Sequence, residues 1–345
     1  MNSKSYGKSL PVILITFAII LTSCQKDNPQ IFRLGKFRLG RPVVFVAGYE
    51  SNGTNNVAKY WADGYGVILS DGTNNASANS VFVSNNDVYF AGSDNGAVYW
   101  KNDREIRLSD GDASSIFVTG NDVYVAGNNG TNAVYWKNGA EVQLEKTNVY
   151  GNFASSSATS IFVTGGDVYV AGYDGPNAVY WRNGTEYYLT QASTVVAGYT
   201  RANSICVSGL DVNIAGHQVS AGTPFPQLRY WGNATGVPSS NLNTYGRASS
   251  VCVYGTDIYV AGMQESAPTY IPTAAYWKNG VVTLLPISEK NSSANSIFVR
   301  DNDIHVAGYE LDSNGVASAA FWKNGVETKL TDGTNSAYAT SIFVK

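Results

Sequence analysis

The 345 residues carry a formal net charge of −3, but that charge is unevenly placed. Residues 42–345 hold sixteen Lys and Arg against twenty-five Asp and Glu, about −9, which argues against a nucleic-acid partner because phosphate binding needs a cationic surface. No helical period follows the first two dozen residues, so the chain beyond them is read as all-β.

The opening segment places Lys4 and Lys8 before an apolar run from Leu10 to Leu21 and closes on Leu21-Thr22-Ser23-Cys24. Such a run is too short to span a bilayer comfortably and has the layout of an export signal. Its last four residues resemble the lipobox of bacterial lipoproteins. The resemblance implies removal of residues 1–23 and acylation of Cys24, and several acyl chains on one residue make a stable anchor. Gln25 rather than Asp resembles the pattern that permits transfer to the outer membrane. Which leaflet displays the protein stays open. Residues 24–41 then read as a tether, with Phe-Arg-Leu-Gly repeated at Phe32 and Phe37. Residues 25–41 carry about +4. That charge suits either a membrane-proximal basic tether near anionic head groups or a solubilising linker.

From residue 42 one phrase recurs. The glycines that end a Val-Ala-Gly-like strand are Gly48, Gly92, Gly127, Gly172, Gly216, Gly262 and Gly308. The tryptophans are Trp61, Trp100, Trp136, Trp181, Trp231, Trp277 and Trp322, and they are every Trp in the chain. The serines that open a Ser-Ile-Phe-Val-like strand are Ser80, Ser115, Ser160, Ser204, Ser250, Ser296 and Ser341. Three lists of seven give a period of about 43 residues, the mark of a β-propeller.

Within one unit, Ser115–Val118 reads as strand A and Val123–Ala126 as strand B. Ala133–Trp136 reads as strand C, and Asn138-Gly139 as a two-residue hairpin turn leading to strand D at Glu141–Leu144. Strands A to C are apolar on both faces and must be sandwiched between neighbours, while D alternates as an outermost strand should. Each Trp reads as a wedge between units. The first unit, from Val43, lacks its own strand A, and the final Ser341–Val344 is a strand A with nothing after it. The expected fold is therefore a seven-bladed β-propeller of four-stranded antiparallel blades over 42–345, closed by the C-terminal strand joining the first blade. Pairing those two ends removes two exposed edges. The phrase AVYWKNG with Leu144, and AAFWKNG with Leu330, resembles the HAF-type extracellular repeat of bacterial proteins, although the His-Ala-Phe triplet itself is absent.

Positions shared by all units serve the fold; positions that differ are free for a ligand. The A–B and C–D turns are short and uniform and share one rim. The B–C and D–A connections share the other. The step from the Val-Ala-Gly glycine to the third residue before Trp is ten in unit one and five or six in units two to four. In units five to seven it is eleven or twelve. This predicts a face raised around units five, six, seven and one and open at two and three. Candidate ligand contacts on that face are Tyr49 with Glu50, Tyr173 with Asp174, and Tyr309 with Glu310, joined by His217, Arg201 and Arg247. Further Tyr fall in the variable segments: Tyr150, Tyr199, Tyr245, Tyr270 and Tyr338. Aromatic rings stack on a flat apolar face while their hydroxyls bond, which suits a sugar or a peptide.

An enzyme is the rival reading. Glu50 and Glu310 hold matching positions in neighbouring units, and glycosidase carboxyls stand about 5–5.5 or 6.5–9.5 Å apart. His217 beside a Tyr and an Arg resembles the acid–base groups of propeller-type polysaccharide lyases; otherwise it is a polar loop residue. His305, in a strand, reads as packing. Cys206 and Cys252 replace the Phe of Ser-Ile-Phe-Val and read as small buried hydrophobes, too far apart across adjacent units for a disulfide. No zinc spacing or calcium-loop pattern occurs, so no metal or cofactor is implied. The sequence thus points to a monomeric, lipid-anchored envelope protein binding glycan or a partner protein, with a polysaccharide hydrolase or lyase as the alternative and a purely structural component as a third.

Overall fold

The computed structural model describes residues 42–147, 155–189, 198–220, 222–223, 225–232, 245–266, 268–287 and 291–345, all within one compact unit spanning Phe32–Lys345. The export signal, Cys24 and the tether lie outside the described residues, as does Tyr150.

Every described element is a β-strand or a turn, and all strand neighbours are antiparallel. Five sheets have four strands. A sixth has seven, because the fifth and sixth units merge where Gln227 at the end of Gln227–Gly232 pairs with Tyr245. Residues 233–244, where a fourth strand of unit five would fall, lie outside the described residues. The first sheet takes its A strand from the other end of the chain: Ala337–Val344 pairs with Val44–Ser51, Val344 opposite Val44 and Phe343 opposite Phe45.

The repeated residues each have a local task. In the C–D turns, Asn138 and Gly139 take φ of 53° and 85°, and Asn183-Gly184, Asn279-Gly280 and Asn324-Gly325 do the same. Both residues on the left-handed side of φ is the hairpin geometry that follows strand twist, which is why the pair is Asn-Gly. The same Asn then ties the rim together. Asn138 Nδ2 donates to Asp122 Oδ1 (2.8 Å), and its Oδ1 accepts the Val123 N–H (2.8 Å). Lys137 reaches Asp122 Oδ2 at 3.0 Å. Asp87, Asp167, Asp257 and Asp303 repeat this clamp with Asn102, Asn183, Asn279 and Asn324. These bonds hold each carboxyl below its ordinary range. The phrase Asp-Val-Tyr … Trp-Lys-Asn-Gly is therefore one clamp stated repeatedly.

The glycine of Val-Ala-Gly answers a different demand. A Cβ there would stand 1.9–2.1 Å from a carbonyl oxygen of strand A in all seven units, for example 1.9 Å from the Ser77 oxygen at Gly92. That carbonyl is pushed inward by a β-bulge: each A–B ladder skips one residue, as between Ala78 and Ser80 or between Ala202 and Ser204.

Seven hydrophobic clusters hold the units together, each spanning two consecutive units, and one joins the seventh to the first. Each Trp sits in the cluster shared with the unit before it; Trp100 packs with Phe45 and Tyr60, and Trp61 with Ala307 and Ala319. The tryptophans are the wedges the sequence implied. The A strands add a chain of hydrogen bonds. Ser80 Oγ accepts the Ile116 N–H, Ser115 the Ile161 N–H and Ser160 the Ile205 N–H, all at 3.2 Å. Ser204 and Ser250 accept from Val251 and Ile297, Ser296 from Ile342, and Ser341 from Val81, which returns to the start.

Removing Ser341–Lys345 deletes three apolar residues worth about 1.5–3 kcal/mol each when fully buried, besides two of the serine bonds. The shortened chain should lose more than about 5 kcal/mol and melt about 10 °C or more lower. Melting within about 2 °C of the full chain would show that the ends do not hold one another. Trp322→Ala should cost about 3–5 kcal/mol in a denaturant titration.

Candidate functional site

Above each bulge stands one cross-strand pair from strands A and B. Around the circle these pairs are Tyr338–Tyr49, Ser77–Ser93, Asp112–Asn128, Ser157–Tyr173, Arg201–His217, Arg247–Met263 and Ser293–Tyr309. They form the mouth on the rim opposite the clamps. Tyr199, Tyr245 and Tyr338, expected in variable segments, lie in A strands together with Arg201 and Arg247, because these strands continue beyond the bulge with strand B opposite them.

The pairs divide the mouth in two. Units two and three offer only small polar groups. The remainder is aromatic and cationic. Arg201 is sandwiched between two rings, its guanidinium carbon 3.9 Å from the Tyr173 centroid and 4.7 Å from that of Tyr199. One terminal nitrogen donates to the Gly175 and Thr200 carbonyls. Tyr199 also meets His217 edge-on at 5.9 Å. Arg247 is exposed and close enough to His217 and Tyr309 to act on both. Tyr309 and Tyr49 both contact Tyr338, at 4.8 and 5.1 Å. Six of the nine predicted contacts thus share one continuous arc: Tyr173, Arg201, His217, Arg247, Tyr309 and Tyr49.

The three acids do not join them. Each follows its Tyr by one residue, so strand alternation turns it to the opposite face. Asp174 and Glu310 are fully buried, Glu310 with Lys329 3.7 Å away, and Glu50 pairs with Lys59. Glu50 and Glu310 are each engaged by a lysine of their own unit rather than set facing each other across a ligand.

His217 is buried, and Asn203, the bulge residue of its unit, bonds to its Nδ1 at 3.2 Å while also donating to the Ala248 carbonyl at 2.7 Å. Asn203 has only N–H to offer from Nδ2, so Nδ1 accepts and the ring proton is placed on Nε2. Burial, with Arg247 and Arg201 nearby, lowers its pKa to about 4. A neutral ring whose lone pair is already occupied is poorly placed as a general base. Burial and the neighbouring Tyr338 raise the hydroxyls of Tyr49 and Tyr309, which stay protonated donors.

The B–C loops behave as the step lengths implied. Strands B of units five, six and seven run on to Val219, Glu265 and Leu311, whereas unit two turns back at once, between Asp94 and Ala97. On the raised side Phe225 stacks on Tyr270 at 4.4 Å beside Tyr245. Among the described residues no cluster of His, Cys, Asp and Glu has metal-binding proximity. Cys206 and Cys252 are free thiols, half-buried rather than core. They interrupt a run of ring contacts through Phe298, Phe343, Phe82, Phe117 and Phe162.

Sequence reasoning missed Asn203 and its counterparts Asn79, Thr159, Asn295 and Thr340, whose side chains reach the next unit's A-strand carbonyl. The available signal was a polar residue between the Ala and Ser of each strand A.

No protein-family model matches the chain, and no curated protein does. Solved structures do. The β-propeller domain of the trilobed protease from Pyrococcus furiosus, described as an open velcro topology, aligns with a TM-score of 0.52 at 9% identity, over 86% of this chain and 95% of that one. The computationally designed Ika8 protein aligns at 0.46 with 13% identity, over 86% and 90%. An extracellular domain assigned to a one-component system of B. thetaiotaomicron aligns at 0.48 with 12% identity, over 80% and 43%. The fold is β-propeller-like.

An unfolded chain protonates a histidine near pH 6.5, while the fold keeps His217 neutral to about 4. Between those values the unfolded state binds more protons. Its contribution is whole above pH 6.5 and shrinks as pH falls toward 4, by at most about 1.4 kcal/mol per pH unit. His305 is shifted the same way, so His217→Asn isolates the effect: it should flatten the stability profile between pH 6.5 and 5. A ring NMR titration of His217 centred near 6.5 would refute the assignment.

Proposed function

We propose that the chain is a seven-bladed propeller, closed by its C-terminal strand, that binds glycan or a partner protein at the mouth of its variable face. One observation carries this reading. The hydroxyls of Tyr49, Tyr173, Tyr199, Tyr309 and Tyr338 have no hydrogen bond among the described residues, and Arg247 has no ion pair there. Unbonded hydroxyls occur elsewhere too, as at Tyr99 and Tyr276, but on this arc five of them stand beside two guanidiniums, the convergent orienting groups that a preformed site needs. The serine circle and the seven clusters support the blade count. The lipobox-like Leu21-Thr22-Ser23-Cys24 supports a diacylglyceryl anchor on Cys24 and a place in the outer membrane, with the propeller acting as a monomer.

Binding is favoured over hydrolysis or elimination. The carboxylates expected to flank a scissile bond turn away from the mouth, and the one histidine there has its lone pair engaged. Full-length protein in detergent, titrated with a panel of polysaccharides by calorimetry, should bind at least one and release no new reducing or unsaturated ends. Tyr173→Ala with Tyr49→Ala should weaken that binding at least tenfold with the melting temperature nearly unchanged. Product formation abolished by His217→Gln would instead establish an enzyme.

A further inference from the structure

We infer that the ligand of the mouth is a polysaccharide bearing uronate carboxylates, seated with its charged groups on Arg201 and Arg247. The inference rests on the mouth being a binding site and adds the chemical class. Residues 42–345 are acidic, about −9, yet the arc of units five and six projects two guanidiniums on adjacent A strands. Neither forms an ion pair among the described residues: Arg201 spends one terminal nitrogen on two backbone carbonyls, and Arg247 has only the nearby field of Glu265. A guanidinium fork matches a planar carboxylate.

The surroundings of the two arginines choose among carboxylate carriers. Arg201 lies between the faces of Tyr173 and Tyr199, and Tyr309, Tyr338 and Tyr49 continue the arc. Rings beside cations, with idle hydroxyls, match a pyranose that offers an apolar face, a carboxylate and several hydroxyls at once. An acidic peptide would find less. Peptides gain affinity by adding to a strand edge, but the A-strand edges here are occupied by the serine bonds and by Asn203, Asn295 and Thr340. The small polar pairs Ser77–Ser93 and Asp112–Asn128 leave the opposite side of the mouth low. Among the described residues the B–C turn of unit two is short there, which gives a chain polymer room to leave the site.

The test uses full-length protein in detergent and three probes: polygalacturonate, alginate and poly-glutamate, with the two polysaccharides also supplied in carboxyl-reduced form. The expected result is binding of at least one polyuronate that weakens tenfold or more on carboxyl reduction and falls away with added salt. Arg247→Gln, at an exposed position, should weaken it about tenfold, and Arg201→Gln at least as much. Equal binding of native and reduced polymers would overturn the carboxylate assignment while leaving the mouth a glycan site. Poly-glutamate binding as tightly as the polyuronates would overturn the sugar assignment. Failure of every polymer, charged or reduced, would overturn this inference while leaving the mouth to a partner protein.

Discussion

The arrangement depends on how the inner edge of each sheet is satisfied. An unpaired strand edge in a protein interior leaves a row of N–H groups without acceptors, each costing about 1–3 kcal/mol. Here the A strands of neighbouring units lie side by side, and no ladder forms between them. A serine one residue before each core Ile or Val solves this, its Oγ accepting the N–H of the next strand's Ile or Val. A larger residue would hold neighbouring strands apart, and Ala would offer no acceptor. The circle can complete only when Ser341 meets Val81, so the C-terminus belongs structurally to the first sheet.

The bulge directly above that serine separates fold from function. Skipping one residue drives a carbonyl against the Val-Ala-Gly glycine, so that position tolerates no side chain. It also frees the skipped residue to bridge to the next unit and re-aims the pair beyond it into the mouth. Below the bulge serine, glycine and Trp recur in every unit, and the Asp–Asn clamp at the far rim is seen in five. Above it the backbone is still paired, but no side chain is required by the ring. Ser–Ser, Arg–His and Tyr–Tyr therefore occupy equivalent places with the same backbone register.

The A-to-D order of the four-stranded antiparallel units and the Trp wedges were legible because each was stated many times over. Self-comparison within the chain served where a single copy would have been ambiguous. Two features were not legible, and a third was legible but misread. The merging of units five and six comes from one pair, Gln227 with Tyr245, made by a B–C loop whose path no periodicity fixes. The place of Tyr338, Arg201 and Arg247 in strands was hidden because the bulge breaks the apolar alternation that marks strand A. The facing of Glu50, Asp174 and Glu310 followed from period-two alternation. Grouping each acid with its Tyr by adjacency in sequence overlooked that consecutive strand residues point apart.

Unit five shows how the two halves trade against each other. Its rim differs: Asn213 stands where most other units have Tyr, Gly232 stands where most have Lys, and Asn213 accepts the Tyr230 hydroxyl at 2.6 Å. Cys206 stands where other units place the Phe of the ring-contact run. Yet its serine, glycine and bulge are intact, and its mouth pair, Arg201 with His217, is chemically the most specialised of the seven. A unit can lack the lysine of the rim clamp while its neighbours hold it through their clusters and the serine circle, because those contacts bear mainly on strands A to C. The features that cannot be lost are those that complete the circle, and they lie between the clamp rim and the mouth. Variation at either end is thereby uncoupled from the closure that keeps the sheets buried, which is how a repeated scaffold comes to carry one asymmetric site.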